Sequence, residues 1–144
     1  IAVAGTHGKT TTTSMIGHML TFCGLDPTVV VGGRMQDSET NAQFGKSKYF
    51  VTEADEYDRS FLTLFPKFNV FNNLEEDHLD IYENLNDLKN TFLKFANQTK
   101  LGGKLIVNSD SKNILDVVKN YKGDVLSFAI ENNANVNIKQ VIIK

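Results

Sequence analysis

The stretch Ile1–Met15, "IAVAGTHGKTTTTSM", decides the fold. Its first four residues are an apolar run that enters a loop bounded by Gly5 and Gly8, the pattern of a central strand in a parallel sheet. Beyond the loop, Met15, Ile16, Met19 and Leu20 recur at helical spacing, so a helix is expected from Thr10 to about Cys23, with Gly24 placed to end it. Strand, glycine-bounded turn, Lys-Thr and helix together form a cradle for a phosphate: backbone amides and the positive helix end face the anion. Lys9 would reach the terminal phosphates and the Thr10 hydroxyl would meet Mg²⁺. The spacing departs from G-x-x-x-x-G-K-[ST], because only Thr6 and His7 separate Gly5 from Gly8 and the position five before Gly8 is Val3. An ordinary turn with a surface lysine is the alternative for a bare Gly-Lys-Thr; the strand before it and the amphipathic helix after it favour the cradle. His7 either stacks near a ligand or fills the turn.

Working outward, strands are expected at Thr28–Val31, within "KYFVTEADE", "KFNVFNN" and "KLIVNSD", and within "DVLSFAI". Arg34–Lys48 reads as a polar loop with room for a short strand. Leu85, Leu88, Phe92 and Phe95 make the apolar stripe of a second helix, and "SKNILDVVKNY" a third, closed by Gly123. This alternation predicts an α/β fold of the P-loop type, a mostly parallel sheet flanked by helices. In such sheets, ligand-binding residues collect beyond the carboxyl ends of strands. Three polar clusters fall there: Gly5–Thr10, Glu53–Asp58 and Asn72–Asp80.

Glu53, Asp55, Glu56 and Asp58 repel one another unless a cation compensates them, which Mg²⁺ would do. A solvated acidic turn is the plainer reading; the strand that aims Glu53 at the same edge as Lys9 favours the metal. His78, between Asp77 and Asp80, is either structural or a ring oriented by a carboxylate with its other nitrogen offered to a metal or substrate. His18 is expected on the surface of the first helix.

Fifteen basic and seventeen acidic residues give a net charge of -2, leaving no basic excess for a nucleic-acid backbone. A single cysteine, Cys23, excludes an internal disulfide and fits a reducing cytoplasm; it is expected to be a packed thiol. No apolar run approaches the roughly 18 residues of a membrane span. Neither a Cys-x-x-Cys pair nor a G-x-S-x-G nucleophile setting is present. The start inside a strand, at Ile1 rather than Met, reads as a piece of a longer protein.

Taken together and in this order, "AGTHGKTTTT" (4–13), "EADEYDRSFL" (53–62) and "NNLEEDHLDIY" (72–82) resemble the Mur ligases, ATP-dependent amide-forming enzymes of bacterial cell-wall synthesis. The resemblance covers essentially residues 1–144 as the ATP-binding central domain, with the UDP-binding amino-terminal and the carboxy-terminal domains outside them. It implies that Gly5, Thr6, His7, Gly8, Lys9, Thr10 and Thr11 bind ATP, and that Thr10, Glu53 and His78 hold Mg²⁺. By the same resemblance Lys9, Glu53 and His78 are catalytic, while Asn73 and Glu56 lie against substrate. The family's shortened phosphate loop accounts for the glycine spacing. Several members carry a carbamylated lysine whose position here is Phe92, with Lys89 and Lys94 out of register, so no carbamate is expected.

The implied chemistry is phosphoryl transfer from ATP to a carboxylate, giving an acyl phosphate that an amine attacks. The motifs favour the branch that joins L-alanine to UDP-N-acetylmuramate; the branch that attaches a preformed tripeptide to the same sugar nucleotide is one alternative, and a non-catalytic nucleotide-binding module another. Lys9→Ala is expected to abolish ligation with the fold intact. Residues 1–144 alone are expected to bind nucleotide weakly and to catalyse nothing measurable.

Overall fold

A computed structural model describes residues 1–32, 41–76 and 81–138. Among these, eight strands form one sheet: β1 (Ala2–Ala4), β2 (Thr28–Val30), β3 (Ala42–Gln43), β4 (Phe50–Glu53), β5 (Phe68–Phe71), β6 (Lys104–Asn108), β7 (Val125–Ala129) and β8 (Val136–Asn137). Their order is β3-β2-β4-β1-β5-β6-β7-β8, and every pairing is parallel except β2 with β3. The first strand therefore lies at the centre, and its three residues are all buried. The α/β expectation holds. Two edge strands are only two residues long: β3, in the segment read as a polar loop with room for a short strand, and β8 near the far end.

Helices α1 (Lys9–Phe22), α2 (Leu85–Asn97) and α3 (Lys112–Val118) cover the sheet. Helix α2 buries Leu88, Phe92 and Phe95 as its stripe predicts, and its first turn is capped by Asn84, whose side chain accepts the Asp87 N–H. Those rings meet Phe61 and Phe71, with Phe92 edge-on to both at centroid separations of 5.3 and 5.1 Å. Each such pair adds roughly 0.5–1.5 kcal/mol beyond the area it buries. Phe92 thus belongs to the core, and Lys89 is engaged by Asp116 of α3 at 2.9 Å.

Helix α1 departs from its expected stripe. Ile16 and Leu20 pack on Val29, Val31 and Val51, but Met15 and Met19 are mostly exposed, and the buried positions are Thr13 and Gly17. The reason is close approach. A Cβ at Gly17 would stand 2.7 Å from Val29 Cγ2, so the helix axis runs too near β2 for large side chains on the contact line. Cys23, expected to be packed, is exposed at the helix end, because the chain turns away there through Gly24 at φ 75°. His18 is exposed as expected. Helix α3 stops at Val118, several residues before Gly123.

Candidate functional site

The register of two pairings assembles the site. Val3 of β1 lies opposite Glu53 of β4 and Val70 of β5, so the loops that leave the carboxyl ends of all three strands emerge side by side. This brings Gly5–Thr11, Glu53–Glu56 and Asn72–Glu75 to one edge, as the sheet rule requires. Asp77, His78 and Asp80 lie outside the described residues.

The phosphate loop is shaped by two glycines at positive φ, Gly5 at 143° and Gly8 at 77°. At Gly5 a Cβ would come within 3.0 Å of the Asn73 carbonyl oxygen, so the loop can press against the exit of β5 only with glycine there. Gly8 precedes α1, whose first turn carries no acidic side chain. The opening amides of a helix have no intrahelical acceptor, so this end is electropositive and suited to an anion. Thr10 and Thr11 are exposed at the same end.

The exit of β5 grips the loop. Thr6 N–H donates to the Asn73 carbonyl at 3.3 Å, and Glu75 N–H donates to Thr6 Oγ1 at 2.9 Å. Asn72 Nδ2 donates to Thr12 Oγ1 at 2.9 Å. A cavity of about 310 Å³ opens beside the loop, lined by His7, Gly8, Thr12, Asn72 and Asn73 and, from the ends of β6 and β7, by Asn108 and Phe128. Asn108 and Phe128 were not singled out from the sequence; the rule that strand ends carry ligand contacts would have drawn attention to Asn108. His7 is exposed, with Nε2 3.5 Å from a Glu75 carboxylate oxygen.

Lys9 is folded back. Its Nζ donates to the Gly5 carbonyl at 2.9 Å and to both carboxylate oxygens of Glu56 at 3.0 Å, with Asp55 Oδ1 3.8 Å away. Glu56 is 1% exposed. The carboxylate that meets the loop lysine is therefore Glu56, while Glu53 turns toward β2: its Oε2 accepts the Gly32 N–H, and its Oε1 is buried with no hydrogen-bond partner among the described residues. Tyr82, another residue the sequence reading passed over, donates its hydroxyl to the Glu56 carbonyl at 2.5 Å. Burial first, and then neighbouring carboxylates, push that phenol up to about 12 against the lowering effect of Arg59.

The donor set fits a magnesium ion shared with phosphate oxygens. Such an ion takes one or two protein carboxylates and fills its octahedron with phosphates and water. Glu53 Oε1 offers an uncommitted buried oxygen. Among the described residues no group of three or more His, Cys, Asp or Glu gathers as a self-sufficient metal cage.

A mostly parallel α/β sheet whose first strand feeds a glycine-bounded loop and a helix, with carboxylates at the adjoining strand end, has the architecture of the phosphate-loop class. The chain belongs to the Mur ligase family: the family's middle domain matches residues 3–144. It is 49% identical over 142 residues to a UDP-N-acetylmuramate–L-alanine ligase of Clostridium novyi, covering 99% of this chain and 31% of that protein. The chain thus spans under a third of that relative's length. Among solved structures it is similar to the UDP-N-acetylmuramate-alanine ligase of Thermotoga maritima (TM-score 0.80, 30% identity, 97% of this chain and 30% of that one). It is equally similar in shape to the UDP-N-acetylmuramate:L-alanyl-γ-D-glutamyl-meso-diaminopimelate ligase of Neisseria meningitides (TM-score 0.80, 33% identity, 89% of this chain and 45% of that one).

Among the described residues no helix is long and apolar enough to cross a membrane.

Proposed function

We propose that residues 1–144 are the ATP-binding central domain of an ATP-dependent ligase that joins L-alanine to the carboxylate of UDP-N-acetylmuramate, with the UDP-binding and carboxy-terminal domains supplied by flanking chain. One observation carries the reading. An electropositive loop, Gly5–Thr11, stands beside a strand end on which Glu53 keeps a buried oxygen uncommitted, so anion and cation have adjoining places. Identity to alanine-adding relatives over nearly the whole chain supports the choice of amine.

In this reading the loop amides and Lys9 take the phosphates, and Lys9 offsets the charge that spreads over the transferred phosphoryl group. Thr10, Glu53 and the sequence-implied His78 would hold Mg²⁺, which would supply charge neutralisation at the phosphates. Asn73 fixes the loop beside the acceptor carboxylate. Little covalent help is asked of the protein; positioning brings carboxylate, phosphate and amine into line. ATP and a UDP-sugar as substrates place the reaction in the cytoplasm.

The likeness to the Neisseria enzyme favours a second reading, transfer of a preformed tripeptide to the same sugar nucleotide. Phosphate release by the full-length protein with ATP, UDP-N-acetylmuramate and either L-alanine or the tripeptide decides between them. Turnover with L-alanine alone is expected. Turnover with the tripeptide alone selects the second reading, and nucleotide binding without either product returns the domain to a non-catalytic module.

A further inference from the structure

We propose that Glu56 is a positioning residue, a buried counter-ion that holds the phosphate-loop lysine and competes with the nucleotide for it. The proposal rests on the ATP-dependent reading above and adds to it which side chain sets the place of Lys9. An ammonium has three N–H donors. In Lys9 they face the Gly5 carbonyl and the two oxygens of Glu56, at 2.9, 3.0 and 3.0 Å, so the lysine has none to spare. To contact a phosphate it must give up at least one of these bonds. A nucleotide therefore competes with Glu56 for Lys9.

Glu56 is suited to act through Lys9 rather than on substrate directly, since only 1% of it is exposed. Its backbone is fixed from two sides. The carbonyl accepts the Tyr82 hydroxyl and the Arg59 N–H, the latter at 3.0 Å. Just beyond it, Asp58 and Arg59 sit at φ 52° and 56°, a left-handed conformation that non-glycine residues adopt at a cost of roughly 1–2 kcal/mol each. What holds the turn is Arg59: its guanidinium lies over the Tyr82 ring, 5.2 Å from the centroid, and donates to Asp87 Oδ2 of α2 at 2.7 Å. The carboxylate is thus anchored to the core by Tyr82 and to α2 by Arg59. Lys9, on the glycine loop, is the partner that moves.

Two effects follow from neutralising Glu56. Lys9 is released to anions, and a negative charge beside the phosphate site disappears, so nucleotide binds more tightly. The ammonium also loses the support that sets its place during transfer, so the chemical step slows. In the full-length protein, Glu56→Gln is expected to lower both the Kd for ADP by calorimetry and the KM for ATP on the order of tenfold, the weight of one charge-assisted hydrogen bond. The same variant should lose roughly tenfold or more in kcat. A merely structural role would not tighten binding while slowing turnover.

A folded Glu56→Gln protein whose ADP affinity is unchanged or weaker, or whose kcat equals wild type, overturns the proposal. Should Glu56→Gln fail to fold, Glu56→Asp replaces it: the charge is kept but the side chain is one methylene shorter, and tighter ADP binding supports the latch while unchanged binding overturns it. Wild-type protein that binds ADP yet forms no amide product refutes the ligase reading alone. The comparison of ADP affinities still decides the role of Glu56.

Discussion

The side chain of Asn73 bonds both backbone polar groups of His7: its Oδ1 accepts the His7 N–H at 2.8 Å and its Nδ2 donates to the His7 carbonyl at 3.0 Å. A primary amide here does what an adjacent strand would do for an extended residue. The phosphate loop cannot be paired by a strand, because Gly5 and Gly8 turn it at positive φ. Asn73 therefore supplies the pairing from the exit of β5 and holds the middle of the loop through its own side chain.

Asn73→Ala removes both bonds and is expected to cost about 1–2 kcal/mol of stability, two partly exposed hydrogen bonds at typical net worth. Nucleotide affinity should fall further than stability alone explains, since the freed loop must be ordered on binding. Chemical denaturation and ADP calorimetry on the same protein check this. Wild-type affinity in the variant would show that the loop does not depend on Asn73.

Lys9→Ala should abolish ligation, but the structure changes the expectation for the fold. The substitution deprives a carboxylate that is 1% exposed of its ammonium, and breaking a buried pair on one side costs about 3–5 kcal/mol. Lys9 itself retains some exposure, so the lower end is expected. The double variant Lys9→Ala, Glu56→Gln should recover much of the stability and none of the activity. Thermal unfolding of the two variants side by side tests this; equal melting temperatures would argue that Glu56 tolerates the loss.

The alternation of apolar runs and helical stripes made the parallel sheet legible, and the described parts of the three polar clusters share one edge because strand direction puts them there. What the sequence could not show was partnership. Lys9 and Glu56 are 47 residues apart, and they meet because Val3 pairs with Glu53 rather than with a neighbour two residues away. Glu53, which the sequence reading aimed at Lys9, turns instead to the Gly32 N–H. Nor could helical spacing tell that Met15 and Met19 face solvent, since the side of α1 that packs closest to the sheet is marked by small residues, Thr13 and Gly17. The turn at Asp58 and Arg59 was hidden because neither residue type advertises positive φ as glycine does.

Gly17→Ala sets two effects against each other. Alanine raises helix propensity by about 1 kcal/mol. Its methyl would stand 2.7 and 3.0 Å from the two Cγ atoms of Val29, a buried branched side chain with little freedom to move, and overpacking of this kind costs about 1–3 kcal/mol. Net destabilisation of roughly 1 kcal/mol is expected from these opposing terms. Adding Val29→Ala should make Gly17→Ala neutral or stabilising, a sign change that a double-mutant cycle in denaturant reads directly. Absence of coupling would mean that α1 shifts to relieve the contact.

Acid sensitivity should be traceable to the clasp between α2 and α3. Asp116 accepts from Lys119 at 2.8 Å and from Lys89 of α2 at 2.9 Å, and these two bonds, Lys119 first, hold its carboxyl at about 2 against an ordinary 3.8. A carboxylate whose value is lower in the folded chain favours folding above its unfolded value, and that contribution is lost as the pH falls through the folded one. Wild type should therefore melt above Asp116→Asn at neutral pH, with the gap narrowing below about pH 4 and closing near pH 2. Melting temperatures of the pair across that window check the sign. A gap that persists at the acid end would assign the effect to Lys89 and Lys119 packing against the helices instead of to the charge on Asp116.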